Sequence, residues 1–255
     1  MARFSSKYFL PLLPIVSLLI IWFIMTEFGF VAPYLLPTPG SVYQSLLSLS
    51  ASGALLEHSV ASLTRVSLSF SLAVFLSIPI GLTLGWYSDL GRAFKPLIEL
   101  FRTISPISWI PLAILWFGIG NEPAIFILFM SAFFPMIIAT KNAVSQVDPI
   151  LIRVAENLGA SGRNILSQVV LPASISYIFI GARISLGISW LVVVAAEMAG
   201  LRSGLGYLIL DGRNLLQTEM VIAGMIVIGL IGLLLDWLMV LLERGLRRRG
   251  YMVDK

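Results

Sequence analysis

Five or six stretches of this chain are apolar for about the 20 residues that a helix needs to cross a bilayer. That single feature limits the architecture more than any other. Inside hydrocarbon every backbone N–H and C=O must be paired within the protein, which leaves helices for segments of this length. The expectation is an all-α, polytopic transmembrane helical bundle of about six spans, built as one domain over residues 1–255. Composition agrees: 58% of residues are hydrophobic and 12% are charged, against roughly 25% charged in an ordinary soluble domain. The chain has no cysteine, so disulfides, thiolate catalysis and cysteine-ligated metals are excluded.

The spans are read in order. A short basic start with Arg3 and Lys7 precedes an apolar run from about Phe9 to Met25. A signal peptide is the rival reading, but the run is long and ends in Thr-Glu-Phe-Gly-Phe without a small-x-small cleavage site. Pro39-Gly40-Ser41 predicts a turn and a helix start, and the helix that follows is too short to span. A second span is expected over about Val60–Trp86, where Gly81 and Gly85 form a G-x-x-x-G pair suited to close helix contact. A third, from about Pro96 to Phe117, is interrupted by Pro106 and Pro111, each lacking a backbone donor. A fourth runs to about Thr140, a fifth from Ser174 to Met198, and a sixth from Met220 to Leu242. Residues 199–217 form a polar, glycine-rich link.

Lysine and arginine set the orientation. With the N-terminus inside, the inner segments hold Arg3, Lys7, Arg92, Lys95, Lys141, Arg153, Arg163, Arg244, Arg247, Arg248, Arg249 and Lys255, and the outer segments only Arg202 and Arg213. Both termini are therefore expected in the cytoplasm. So is the polar insertion from Pro149 to Pro172, which predicts a helix, a glycine turn at Gly159 and a second helix closed by Leu171 and Pro172. Its first helix brings Ile152, Ala155 and Glu156 together by i+3 and i+4 spacing, while Ala160 and Ser161 keep the turn small. A plain amphipathic interfacial helix pair is the alternative.

This insertion resembles the EAA loop of permease subunits of ABC importers. Gly159, the apolar Val169 and Leu171-Pro172 fall in the register of that pattern, with Arg153-Val154-Ala155 in the slot of the Glu-Ala-Ala triplet and Glu156 one position beyond it. Leu-Trp-Phe-Gly-Ile-Gly at 115–120 and Val-Ala-Ala-Glu-Met at 194–198 are similar to the nitrate/sulfonate/taurine/bicarbonate branch of the family. The resemblance covers roughly Leu36 to Arg244 and implies a type I ABC permease fold in the cell inner membrane. It further implies that a coupling loop at about 142–172, with Arg153, Ala155, Glu156, Gly159, Ala160, Ser161, Arg163, Leu171 and Pro172, docks on a cytoplasmic ATPase. Two ATPase subunits, a second permease subunit (a second copy rather than a different chain) and an extracytoplasmic solute-binding protein are the implied partners, with ATP and Mg on the ATPase. The chain has no G-x-x-x-x-G-K-[ST] stretch for binding ATP itself, and no cofactor, metal cluster or nucleic-acid patch is expected.

Charges within the spans mark candidates for the path. A central arginine costs about 2.5–3.5 kcal/mol on insertion scales, so each faces an interior, a partner or a headgroup. Arg102 and Arg183 are the candidates to attract an anion; Ser185, Ser189 and Gly181 recur on one helix face and suit a pore wall or helix contact; Trp109 and Trp190 are candidate walls. Glu99 and Arg102 are spaced to pair. Ion pairing between helices, snorkelling and interfacial anchoring are the alternatives for each. Arg65 and Glu197 lie near span ends, with Glu197 read as structural or gating. His58 stands alone, and no nucleophile–base or metal constellation supports catalysis. A stand-alone channel or secondary carrier is the competing function. It would need an ion relay, for which Glu99, Glu197 and Asp236 are scattered and lack a histidine partner.

Overall fold

The computed structural model describes residues 13–248, and every regular element within them is helical. Arg3, Lys7, Arg249 and Lys255 lie outside the described residues. Helix α1 (Leu13–Glu27) is the described part of the first apolar run. A proline-rich turn follows and is tied back by the Trp22 indole, which donates to the Pro37 carbonyl at 3.0 Å. Helix α2 (Pro39–Ala51) starts where the Pro-Gly-Ser signal places it, capped by Thr38, whose hydroxyl accepts from the Ser41 N–H at 3.2 Å. The long α3 (Ala54–Trp86) and short α4 (Ser88–Ala93) lead into α5 (Lys95–Thr103).

The third expected span is broken. After α5 the chain turns through Ile104 and Ser105, passes a 3-10 turn (Pro106–Trp109) and resumes as α6 (Ile110–Phe117), at 85° to α5. Ser105 holds extended angles, φ −56° and ψ 130°, because the ring of Pro106 disfavours the helical region for the residue before it. Pro111 causes no second break, since it lies in the first turn of α6, where no donor is needed.

Helix α7 (Asn121–Ser145) is the centre of the bundle. It runs parallel to α3, with Gly81 against Ile137 and Thr140, and Gly85 against Lys141 and Val144. A Cβ at Gly81 would stand 2.5 Å from the Thr140 Cβ, and one at Gly85 2.7 Å from that of Val144. The G-x-x-x-G pair therefore lets α3 and α7 approach as the sequence predicts. Helix α8 (Pro149–Asn157) is the first part of the connector.

The second helix of the connector does not stop at Leu171-Pro172. It continues as α9 (Gly162–Met198) for 37 residues. Pro172 brings no N–H to the helix ladder, and the turn before it is widened: residues Leu166–Val170 form a π turn, and the Leu171 N–H donates to the Leu166 carbonyl. The widened turn absorbs the proline without ending the helix. Helix α9 then runs antiparallel to α7, with Gly181 packed on Ala139 and Ser189 bonded to Ser131 at 2.9 Å and to the Leu128 carbonyl at 2.8 Å.

The link after α9 is also more ordered than expected. It contains α10 (Leu205–Asn214), whose Leu205 and Leu208 are buried in the core beside Val193. Helix α11 (Thr218–Arg248) closes the described chain. Four helices (α3, α7, α9 and α11) are long and apolar enough to cross a membrane, and the bent pair α5–α6 makes up to five. The described part of α1 is 15 residues of the first apolar run. Exposed leucine, isoleucine and phenylalanine side chains cover α1 and the outer face of α11, as a lipid or partner environment requires.

Candidate functional site

The connector is built from its turn outward. Asp148 caps α8, accepting from the Ile150 N–H at 2.8 Å. At the other end Gly159 takes φ +83°. The Gly159 N–H donates to the Glu156 carbonyl at 2.9 Å and the Ala160 N–H to the Ala155 carbonyl at 3.0 Å, the two bonds of a Schellman stop with glycine in the left-handed position. Ala155 is buried, and Ala160 and Leu171 pack against the same core cluster. Arg153, Glu156, Ser161, Arg163 and Pro172 are exposed. Ile152 and Ala155 thus face the bundle, and Glu156 faces away from it. The surface offered to a partner is an apolar ridge that the sequence reading did not single out: Ile150, Leu151, Val154 and Leu158, the last 82% exposed. Its signal was the four-residue spacing of 150, 154 and 158 on a helix outside the spans. A ridge of large apolar side chains turned outward in this way marks a contact surface.

On the flank of α7 opposite α3 lies a cavity of about 490 Å³. Phe101 and Arg102 of α5, Ser131, Phe134 and Asn142 of α7, and Ser185 of α9 line it. Phe101 stacks on Phe134 (5.4 Å, 4°) and on Trp109 (6.0 Å), and Trp109 continues to Trp116 and Phe126. An aromatic ladder therefore braces the bend beside the cavity. A second cavity of about 460 Å³ adjoins on the connector side, sharing Arg102, Ile138 and Asn142 and adding Lys95, Glu99 and Lys141. Glu99 stands 3.9 Å from Lys95, one turn away. The expected Glu99–Arg102 pair does not form, because Glu99 leans to the i−4 lysine. The hydroxyl of Ser185, 1% exposed, has no partner, a condition that costs roughly 1–3 kcal/mol.

Of the other path candidates, Ser189 spends its hydroxyl on Ser131 and Leu128 inside the α7–α9 contact. Arg183 and Trp190 are not brought to this cavity. They face α11, where Arg183 forms two bonds to Asp236, 2.6 and 2.7 Å. There the Trp190 indole donates to the Ile228 carbonyl at 3.1 Å.

At the far end of the bundle from the connector, Arg65 and Glu197 meet at 2.7 Å, with side chains only 7% and 0% exposed. Glu197 also accepts from the Ser62 hydroxyl (2.8 Å) and the Gly206 N–H (2.8 Å). Arg65 further donates to Asn121 (2.8 Å), to the Ser203 carbonyl (2.9 Å) and to the Ser203 hydroxyl (2.6 Å). The Gly204 N–H donates to His58 Nδ1 at 3.1 Å, and the Leu205 N–H to Ser62 at 2.9 Å. This knot fastens α3, the start of α7, the end of α9 and the start of α10 together. The sequence placed both charges near span ends but did not pair them, since they lie 132 positions apart.

Comparison with known proteins identifies this arrangement. Residues 77–248 match the family described as binding-protein-dependent transport system inner membrane component. The taurine transport system permease protein TauC of Escherichia coli (strain K12) is 35% identical over 91% of this chain and 85% of its own. The putative aliphatic sulfonates transport permease protein SsuC of Bacillus subtilis (strain 168) is 38% identical over 92% and 85%. The bicarbonate transport system permease protein CmpB of Synechococcus elongatus is 36% identical over 94% and 89%. In fold, a chain of the MetNI methionine ABC transporter, solved in an inward-facing conformation, superimposes with a TM-score of 0.68 at 19% identity, covering 77% of this chain and 97% of that one. The chain belongs to the binding-protein-dependent transport system inner membrane component family and is a multi-pass permease subunit of an ABC transporter in the inner membrane.

Proposed function

We propose that this permease forms the translocation path of an ATP-driven importer for a small anion, of the nitrate, sulfonate or taurine, or bicarbonate class, delivered by an extracytoplasmic solute-binding protein. The connector is the coupling element. It docks its Ile150–Leu158 ridge on a separate ATPase chain that binds ATP and Mg²⁺, with two such ATPases serving two copies of the permease. The observation that carries this reading is the outward apolar ridge on α8, closed by the Gly159 turn, at the end of the bundle that bears Arg92, Lys95, Lys141, Arg153 and Arg163. The excess of basic residues at that end supports a cytoplasmic side for it and for both termini. The names of three relatives, which transport taurine, aliphatic sulfonates and bicarbonate, support the substrate class.

The test is ATP hydrolysis by the purified permease–ATPase complex in lipid with its binding protein, against nitrate, bicarbonate, taurine and alkanesulfonates. Stimulation by a member of the panel is expected. A Cβ at Gly159 meets nothing within 4 Å, so Gly159→Asp leaves the bundle packing intact and places a charged side chain on the docking turn. The variant is expected to insert normally and lose stimulation. Stimulated hydrolysis at the wild-type rate in Gly159→Asp would overturn the coupling role of the turn.

A further inference from the structure

The row of exposed side chains along α3 does not stop where that span ends. Leu68, Leu72, Phe75, Leu76 and Ile80 are exposed on α3. At the same three- and four-residue spacing Tyr87, Leu90, Phe94 and Leu97 follow on the elbow made by α4 and α5, each between 46% and 49% exposed. The elbow is fixed in this attitude. Gly91 lies so close under α3 that a Cβ there would stand 2.3 Å from the Leu84 carbonyl oxygen, and Lys141 of α7 donates to the Gly91 carbonyl at 3.0 Å. Ile98 is buried against Leu84 and Ile137. With residues 91 and 98 turned inward, 87, 90, 94 and 97 are held outward.

The elbow also stands at the level where spans end. Gly85, just before it, meets Lys141 and Val144, close to the end of α7 at Ser145. Aromatic side chains such as Tyr87 and Phe94 favour that depth of a bilayer. Arg92 and Lys95 add charge there, with side chains 80% and 63% exposed. Their acidic neighbours Asp89 and Glu99 are one turn away on the same helices and equally open. Such pairs contribute little in water, which leaves both cations able to turn to a phosphate. An apolar row with cations beside it is the pattern of a segment lying in the headgroup boundary. The α8 ridge differs in one respect. No large apolar side chain of α7 is exposed, so no outward row of a span runs into that ridge. A soluble partner suits α8, and lipid suits a row that continues the outer face of α3.

We propose that the α4–α5 elbow is a docking surface for anionic phospholipid. Tyr87, Leu90, Phe94 and Leu97 sit among the acyl chains of one leaflet, and Arg92 and Lys95 hold the headgroup phosphates beside them. The importer reading enters only in saying which leaflet this is, the cytoplasmic one. Since α5 also carries Phe101 and Arg102 to the cavity, the lipid contact steadies a helix that lines it.

The chain has no cysteine, so Leu90→Cys gives it a single labelling site. The experiment places a fluorophore there, in the purified permease–ATPase complex in nanodiscs without substrate, nucleotide or binding protein, corrected for labelling of the complex that lacks the substitution. The quenchers are phosphatidylglycerol and phosphatidylcholine with a nitroxide near the headgroup, and aqueous iodide. Both lipids are expected to quench, phosphatidylglycerol at lower mole fraction, and iodide to quench weakly. Arg92→Gln and Lys95→Gln should each reduce the preference for phosphatidylglycerol up to about five-fold, the worth of one cation at an anionic surface, and Arg92→Lys should retain it. Strong iodide quenching, or lipid quenching that appears only when the ATPase is left out, would overturn the surface and in the second case give it to the ATPase. A lipid preference indifferent to both charge variants would overturn the headgroup contact. The reading is independent of transport: lipid quenching without substrate-stimulated hydrolysis would sink the importer reading and keep the elbow, and stimulated hydrolysis with a water-exposed label would do the reverse.

Discussion

Two arginine–carboxylate pairs hold this bundle, and they sit in opposite settings. Arg65–Glu197 is sealed in protein at the end away from the connector, and its hydrogen bonds lead to other helices or to the link before α10. Arg183–Asp236 joins α9 to α11 on the outside of the subunit, with side chains 39% and 51% exposed. Its geometry is as good, a two-bond fork of 2.6 and 2.7 Å. The chemistry is the same and the consequence is not. A desolvated pair is costly to leave half-made, because the survivor has no water to turn to. An exposed pair can exchange its partner for a headgroup or a neighbouring chain. Difference in surroundings, not in bond length, sets what each pair does: the first fixes the arrangement of four elements, and the second adjusts the contact of two.

The largest expected effect breaks the first pair. Glu197→Ala leaves the Arg65 guanidinium buried and unpaired, and should destabilise the subunit by about 3–5 kcal/mol, read as loss of folded protein in thermal or denaturant unfolding of the solubilised complex. Arg65→Ala should fall in the same range. The double variant should cost clearly less than the sum of the singles, because the two act as one unit. Additive losses would show that the carboxylate and the guanidinium are held independently.

A smaller effect sharpens the same point through the backbone. Gly204 has φ 110° and ψ 163°, a region that only glycine occupies readily, and a Cβ there would strike the Glu197 carboxyl group. Gly204→Ala should cost about 1–3 kcal/mol from the backbone alone, and proteolysis should then find the segment before α10. A variant as protease-resistant as the wild type would mean that the link can shift without losing its hold on Glu197.

How far these features are readable in the sequence follows the same division between local and distant causes. The helix start at Pro39, the close approach at Gly81 and Gly85, and the glycine turn at Gly159 depend on residues within one or two turns, and each is legible there. The break before Pro106 is signalled by the proline, but the 85° bend depends on where Phe101 and Trp109 find aromatic partners on α7. Leu171-Pro172 reads as a stop because proline usually is one. The π turn that absorbs it is a property of the backbone that no side-chain pattern announces. The Arg65–Glu197 pair, the packing of α10 into the core, and the choice of Arg102 over Arg183 for the cavity all depend on which faces of distant helices meet. Composition and spacing do not carry that information. In the connector the period of Ile150, Val154 and Leu158 was present, but the same helix also carries the buried Ala155. Only the packing shows which of its two apolar faces turns inward.

The smallest effect belongs to the second pair, and it separates its role from that of Arg102. Arg183→Gln or Asp236→Asn removes one fork on an exposed face. Either should change unfolding by a small fraction of the Glu197→Ala effect and leave alkanesulfonate binding and selectivity unchanged, because the pair faces α11 and not the cavity. Exchanging the two, Arg183→Asp with Asp236→Arg, should restore whatever the singles lose, since the two groups meet on a face with room to re-form the fork. The measurement is unfolding of the solubilised complex alongside sulfonate binding in the same preparations. Selectivity altered by Arg183→Gln, and not recovered by the exchange, would move Arg183 from helix contact to the path of the anion. The comparison would then be between a pair that acts on substrate, Arg183–Asp236, and a pair that only holds the fold, Arg65–Glu197.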